Sequence, residues 1–529
     1  MQRSLSPSPA GTRPDNANSR AMSGIFVDYD RFDGLGLAEL VRSGQVSAEE
    51  LLDTALARLA EVNPKINAVN TPMEAQARAQ LARGIGDGPF AGVPFLIKDL
   101  LSAVAGVPMS TGSAFIKDYV PNYDSEIVVR WRRAGLVAFG KTSAPEFGLV
   151  PTTEPAAFGP TRNPWNLDHT AGGSSGGSGA AVAAGIAPIA SANDGGGSIR
   201  IPAACNGLVG LKPTRGRTPL GPESTEPWMG CVVDHVVSRS VRDSAAALDA
   251  TAGADPGAPN SPPPPERPYL DEVGAPPARL RIAFTRTPLI ASAYAPEVVR
   301  ALDETVALLQ SLGHELVEAK PAIDGAAFAA AFLKMVSAET AADIEYFADL
   351  LGRKPRKGEL ELATRGLQKV GYVLSAVDLS NAVRTLRTQG RIVGRFMADY
   401  DLFLTPTLAQ PPVKLGSLLP TGSEARGLEA LIGLPIGKLF VRSGQLDKTA
   451  LKVYEFVDST PIANVTGAPA ISLPLAWTQS GLPLGMMFSA SYGDETTLIR
   501  LAAQLEAAKP WFERRPQLVK RAPEPAAAV

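Results

Sequence analysis

Residues 171–205 read AGGSSGGSGAAVAAGIAPIASANDGGGSIRIPAAC. Glycine and serine at this density belong either to a flexible linker or to a loop whose backbone N–H groups approach a substrate closely. The residues between the serines decide the matter. GAAVAAGIAPIA is a helix-like Ala/Val run followed by apolar residues, and IRIPAAC continues the same buried character. A solvated coil does not carry packing sequence of this kind. The stretch is a core element, and its NDGGGS loop sets three glycines directly before Ser198. Successive small residues let several backbone N–H groups converge on one anion, with Ser198 as the nucleophile at the end of that nest.

Outward from this stretch the pattern is α/β. Upstream, Ser47 and Glu50 form a capping box ahead of Leu51, Leu52, Ala55, Leu56 and Leu59. GPFAGVPFLIKDLLS reads as a turn and a short buried strand that ends abruptly at Lys98. SEIVVRWRRAG is a helix leading into the strand LVAFGKT. Downstream, VRDSAAALDATAG is helical and LRIAF is a strand. APEVVRALDETVALLQSLG is an amphipathic helix closed by Gly313, and HELVEA is the next strand. Residues 326–400 read as mostly helical. YDLFLTPT and PAISLPLAW read as strands, and ETTLIRLAAQLEAA as the last helix. Strands alternating with helices point to a layered sheet. Residues 255–277, with PPPP at 262–265, are expected to form a surface excursion or linker. Residues 1–24, polar and rich in Pro, Ser and Asn, are expected to be a disordered extension, and 524–529 a tail. One domain is expected between them, over 25–523.

Bulk properties exclude several classes. The 529 residues are 45% hydrophobic and 20% charged, enough apolar mass for a large core, and the net charge is −2. Neither a nucleic acid nor a membrane surface would be attracted to such a chain. Cys205 and Cys231 are the only cysteines, which fits a reducing, cytoplasmic setting. His169, His235 and His314 show no metal-ligand spacing with them, so no metal is expected. No long apolar run suggests a transmembrane helix.

Two short patterns mislead. GLVAFGKT, residues 135–142, matches the P-loop string, but Leu136, Val137, Ala138 and Phe139 would bury as a strand instead of cradling phosphate. GGSSG, residues 172–176, satisfies G-x-S-x-G, but NPWNLDHTA before it is turn-like and not the strand that a nucleophile elbow needs. His169 reads as a loop residue, and His235 and His314 sit inside ordinary apolar patterns. A Ser-His-Asp enzyme is therefore disfavoured. A lysine can replace the histidine if it is neutral, which requires burial to lower its pKa from ~10.4 by roughly three units. Lys98, following PFLI at a strand end, is placed for that, although spacing alone favours a surface lysine that ends a strand.

At this length the stretch resembles the defining motif of the amidase signature family. GVPFLIKD resembles the family's lysine motif, GKTSAPEFG the loop before the glycine–serine stretch, and TRNPWNLDHTAGGSSGG the approach to it. YDLFLTPT, ANVTGAPAISLPL and GLPLGMMF resemble its C-terminal third. The resemblance implies a large mixed central β-sheet covered by α-helices on both faces. It also implies a Ser-cisSer-Lys triad: Ser198 as the acyl-forming serine, Ser174 as the bridging serine after a cis peptide from Gly173, and Lys98 as the base. Gly195, Gly196, Gly197 and the amide of Ser198 match the oxyanion loop. Ser175, Asp194 and Arg200 match supporting polar residues.

The loop reads NDGGGS where many members carry TDTGGS. With TTEPAAFGPTRNPWN, this is most similar to the 6-aminohexanoate-cyclic-dimer hydrolases and related urethane- and aryl-amide-cleaving members. The expected activity is hydrolysis of amides of small hydrophobic, aryl or nylon-oligomer type, without a cofactor. The expected form is a monomer or homodimer. Leu149, Val150, Trp228 and Phe440 are candidate pocket residues, each more readily read as plain core. The competing reading is the glutamine-hydrolysing A subunit of a tRNA-dependent amidotransferase. The mostly apolar stretch LEALIGLPIGKLFVRSG speaks against a charged clamp for glutamine.

Overall fold

The computed structural model describes residues 24–518 apart from 421, 434–450 and 452. Phe440 lies outside the described residues, as do most of the N-terminal extension and the C-terminal tail. The strands are β1 (Val69–Pro72), β2 (Pro94–Lys98), β3 (Val137–Thr142), β4 (Arg162–Asn163), β5 (Asn166–Thr170), β6 (Ile189–Asp194) and β7 (Val209–Lys212). They continue with β8 (Val233–Ser238), β9 (Arg281–Phe284), β10 (Glu315–Glu318), β11 (Leu402–Pro406), β12 (Ala470–Trp477) and β13 (Pro483–Ala490).

Eleven of them form one sheet in the order β1-β3-β2-β6-β8-β7-β12-β13-β11-β9-β10. It is mixed: β2 runs parallel to β3 and β6, while β6, β8, β7 and β12 pair antiparallel in turn. Every residue of β2, β3, β6, β8 and β11 is buried. Side chains alternate across a sheet, so uninterrupted burial means that both faces are covered. Helices Ala48–Ile66, Gly176–Ala183, Val241–Thr251, Pro296–Ser311 and Glu495–Ala508 supply residues to the clusters that cover it. The fold is the large mixed α/β sheet expected.

Local chemistry explains where the helices start. Ser47 Oγ accepts the Glu50 N–H at 3.1 Å and the Glu50 carboxylate accepts the Ser47 N–H at 2.8 Å, closing the capping box read from sequence. Lys141 of the P-loop-like string sits in β3, fully buried, with Nζ 3.1 Å from Asp99 Oδ1. Its amine is committed to that carboxylate inside the sheet.

One local expectation is corrected. Asn166–Thr170, read as a turn, is β5, which pairs with β4 in a separate two-stranded ribbon; His169 is a strand residue there, bridged to Lys414. Its side chains are mostly polar and half-exposed, so no apolar alternation marks it. The ribbon is not part of the central sheet, so the nucleophile-elbow architecture is absent all the same. The Pro-rich excursion is tied to the body of the fold: the Asp255 carboxylate accepts the Gly221 N–H at 2.9 Å, and Asp249 accepts the N–H groups of Tyr269 and Leu270. Tyr269 itself is buried.

Candidate active site

Neighbouring strands β2 and β6 end in two of the candidate residues, Lys98 and Asp194. Lys98 is the last residue of β2, and its backbone N–H donates to Ser191 Oγ of β6 at 2.7 Å. Its side chain is completely buried. Nζ donates to Ser174 Oγ at 2.8 Å and to Asn193 Oδ1 at 2.6 Å. Burial pushes the amine down to about 7, against the pull of Asp234 and Asp194. A lysine near neutrality holds an accepting lone pair for a substantial fraction of the time.

Ser174 follows Gly173 through a cis peptide. A side chain at Gly173 would strike the backbone of Pro151 and Thr152, at 2.8 and 2.7 Å, so only glycine lets the two segments meet. Ser175 Oγ donates to the carbonyl of Asn193 at 3.3 Å. Helix Gly176–Ala183 then carries the chain back against β6 through Ser178, whose Oγ donates to the Ser191 carbonyl at 2.7 Å.

The glycine loop hangs from a buried ion pair. Arg200 reaches both oxygens of Asp194, Nε to Oδ2 at 2.9 Å and Nη2 to Oδ1 at 3.0 Å. This pairing, with the hydrogen bond from Asn464, holds the Asp194 carboxyl far below the usual carboxylate range despite its burial. Asp194 also accepts the N–H groups of Gly197 at 2.6 Å and Ile199 at 3.2 Å. The Gly197 amide, one of the expected oxyanion donors, is thus engaged by Asp194. The N–H groups of Gly195, Gly196 and Ser198 make no hydrogen bond among the described residues.

Ser198 is half-buried at the end of this loop, and its hydroxyl bonds to neither Ser174 nor any other described residue. The lysine and the first serine are thus brought into contact, and the second serine is left with its hydroxyl uncommitted. His235 bonds Ser244 at 3.1 Å and His314 bonds Gln504 at 2.8 Å, and neither touches these serines.

Of the pocket candidates, Trp228 lies against the loop. A Cβ on Gly195 would come within 3.0 Å of its ring. Leu149 packs half-buried between two apolar clusters beside Gly148, which approaches Ser174. Val150 is half-buried with no described role. Sequence reading missed Phe332, whose ring faces Gly196 and meets Trp228 edge-on at 6.2 Å. It also missed Thr460, which donates to the Gly196 carbonyl at 2.8 Å, and Asn464, which donates to Asp194. Phe332 is hidden in an alanine-rich helix, and Thr460 and Asn464 lie more than 260 residues from their partners. Asn193 carried a signal, the unusual first residue of NDGGGS. A cavity of about 220 Å³ lined by Arg215, Thr218, Glu226, Asp255 and Asn260 includes none of the catalytic candidates.

An α/β sheet carrying a buried lysine–serine pair and a glycine loop with free amides is the build of a hydrolase. Comparison with known proteins fixes the kind: the family model described as Amidase matches residues 50–499, and the chain belongs to that family, the amidase signature enzymes. It is 39% identical over 496 residues to the 6-aminohexanoate-cyclic-dimer hydrolase of Pseudomonas sp. (strain NK87), covering 92% of this chain and 97% of that protein. It is 41% identical over 500 residues to the putative amidase AmiC of Mycobacterium tuberculosis (strain ATCC 25618 / H37Rv), again covering 92% and 97%. The solved structure of 6-aminohexanoate cyclic dimer hydrolase complexed with substrate superposes with a TM-score of 0.83 at 37% identity, covering 93% of this chain and all of that one. The protein is an amide-hydrolysing enzyme. Among the described residues no helix is long and apolar enough to cross a membrane.

Proposed function

We propose that the enzyme cleaves carboxamides of small hydrophobic, aryl or nylon-oligomer type, with activated carbamates and esters as further substrates, through an acyl-enzyme on Ser198. The observation that carries this reading is the 2.8 Å hydrogen bond from the buried Lys98 Nζ to Ser174 Oγ. Neutral Lys98 takes the Ser174 proton as Ser174 takes that of Ser198, and Ser198 Oγ attacks the carbonyl carbon. The free amides of Gly195, Gly196 and Ser198 receive the oxyanion. The proton held by Lys98 returns through Ser174 to the leaving nitrogen, and the C–N bond breaks. Water then repeats the sequence on the ester. Gly173, Ser175, Asp194 and Arg200 hold the two loops in register, and no cofactor is required. The residues that a side chain on Gly195 or Gly196 would meet are Trp228, Val232, Phe332 and Pro461, none of them charged. Such a wall suits an uncharged acyl or aryl group better than the charged ends of glutamine.

The two free, buried cysteines agree with a cytoplasmic enzyme, read here as a monomer or homodimer. The test is a panel of p-nitroanilides, aryl carbamates, cyclic and linear 6-aminohexanoate amides, and glutamine. Mass spectrometry would look for the acyl adduct in wild type and in Ser198→Ala. Turnover of the hydrophobic amides with an adduct on Ser198 is expected. Efficient glutamine hydrolysis with indifference to the other amides would overturn the substrate class. An adduct persisting in Ser198→Ala would overturn the nucleophile.

A further inference from the structure

Asp234 stands directly opposite Asn193 in the antiparallel pair of β6 and β8. Its carboxyl is buried, and Oδ1 has no hydrogen-bond partner among the described residues. A buried carboxylate with no partner is costly, so it is either protonated or balanced by a nearby charge. The surrounding elements offer few partners. Thr218 Oγ1 donates to the backbone carbonyl of Asp234 at 2.7 Å and not to its carboxyl. His235, the next residue of β8, is engaged with Ser244. Lys212 on neighbouring β7 donates to the Pro213 carbonyl, and Arg200 is committed to Asp194. The cation that acts on Asp234 is Lys98, and Asn193 also interacts with this carboxyl.

Asn193 stands between the two. Its Oδ1 accepts from Lys98 at 2.6 Å, and its Nδ2 donates to the Leu100 carbonyl at 2.9 Å, which fixes the amide's orientation. The other carboxylate acting on Lys98 is Asp194, already neutralised by the two-point contact with Arg200.

We propose that Asp234 is a positioning residue for the reaction, the buried counter-charge that, across Asn193, lets Lys98 hold the serine proton during acyl transfer and release it to the leaving nitrogen. The inference rests on Lys98 being the base. Burial drives Lys98 down to about 7 and Asp234 up to about 7, so the two groups change charge over the same range. A neutral amine beside a carboxylate carries one negative charge; when Lys98 takes up the serine proton the pair becomes ammonium plus carboxylate and is neutral, so the stored proton leaves no uncompensated positive charge. As Ser174 gives up its proton, the resulting ammonium faces a carboxylate instead of a bare apolar site.

The test is Asp234→Asn, which keeps the volume and removes the charge. The carboxylate favours protonated Lys98, so its removal moves the ascending limb of kcat/KM to lower pH by about one unit, a tenfold change in the equilibrium. The plateau kcat falls about tenfold or more while KM stays within about twofold. A limb that coincides with wild type overturns the proposal, because a merely structural role reduces the folded amount without moving the limb. If the variant does not fold, infrared titration of Lys98→Met decides. Without the amine, the protonated-carboxyl C=O band of Asp234 persists to pH at least about one unit above its wild-type midpoint, and coincident titrations overturn the proposal. Lys98→Ala separates the two levels of inference. If it keeps wild-type turnover, the base assignment itself fails; if it is inactive and the Asp234→Asn limb does not move, only the role of Asp234 fails.

Discussion

The proposed base, Lys98, can accept a proton only while it is neutral, and solvent exclusion at the end of β2 is what favours the neutral amine. The sign of the pH dependence follows. The folded pKa lies below the ordinary lysine value, so the active fraction rises as pH climbs through about 7 and saturates above it. A kcat/KM profile measured from pH 5 to 10 on an anilide is expected to show that single ascending limb. A rise complete by about pH 5, as a carboxylate base would give, contradicts it. Arg200 makes a different residue-scale prediction. Asp194 is held ionised by that guanidinium, so its contribution to stability is present above the unfolded carboxylate range and is lost as pH falls through its depressed folded value. Arg200→Met leaves a buried, unpaired carboxylate and is expected to cost about 3–5 kcal/mol at pH 7. The deficit shrinks toward pH 3, where Asp194 in the variant is protonated. Urea unfolding at both values measures it, and an equal deficit at both would contradict the ion-pair account. Lys98, Ser174 and Asp194 were all legible in the sequence, because each lies inside a motif whose neighbours are adjacent in the chain. Asp234 was not, because only strand pairing brings it opposite Asn193.

At the scale of elements, the loop Gly195–Ser198 is shaped by one local constraint and one distant one. The local one is Asp194, which captures the Gly197 amide. Sequence supplies the glycines but not the direction of each N–H, and the Gly197 N–H is turned to Asp194. The distant constraint is Thr460, which crowds Gly197 from a helix beginning near the other end of the chain. Gly197 has φ +126, where an L side chain is strained, and any Cβ would collide with Thr460 and Ile201. Gly197→Ala is expected to displace the loop and lower kcat by about 10²-fold or more, the scale of losing an oxyanion donor. Unchanged kcat would show that the loop is not held as described. The helix Gly325–Leu351 presents Phe332 to the same loop, stacked on Phe328 at 6.0 Å. Phe332→Ala is expected to raise KM for aryl substrates by about 10- to 200-fold while kcat changes little, as loss of an apolar contact does. Steady-state kinetics on a p-nitroanilide tests this, and a fall in kcat at constant KM would place Phe332 in a different role. The sequence places this segment in a helix but does not say which of its residues meets the loop.

For the whole molecule, the question is whether the Pro-rich excursion near residues 255–277 divides two units. The sheet argues that it does not. Strands β1–β3 and β6–β8 precede that segment and β9–β13 follow it, yet β7 pairs with β12 in the middle of the sheet, Leu211 opposite Ile471. The apolar cluster around Val209, Leu211 and Val241 continues without a break into Ile282, Leu404 and Phe488. The glycine loop is tied the same way, with Asp194 and Arg200 from the first part gripped by Asn464 from the second. Alternation of strands and helices was enough to read an α/β sheet from the sequence. The strand order was not readable, since it depends on contacts across more than two hundred residues. Because neither part can close its edge of the sheet or fix the loop alone, residues 25–523 are expected to unfold as one cooperative unit. Calorimetry is expected to give a single transition in which calorimetric and van't Hoff enthalpies agree, with hydrolytic activity lost over the same temperature range. Two resolved transitions, or activity lost well before the sheet melts, would show that the excursion marks a boundary and that the lysine–serine half can hold or lose its geometry independently of Asn464.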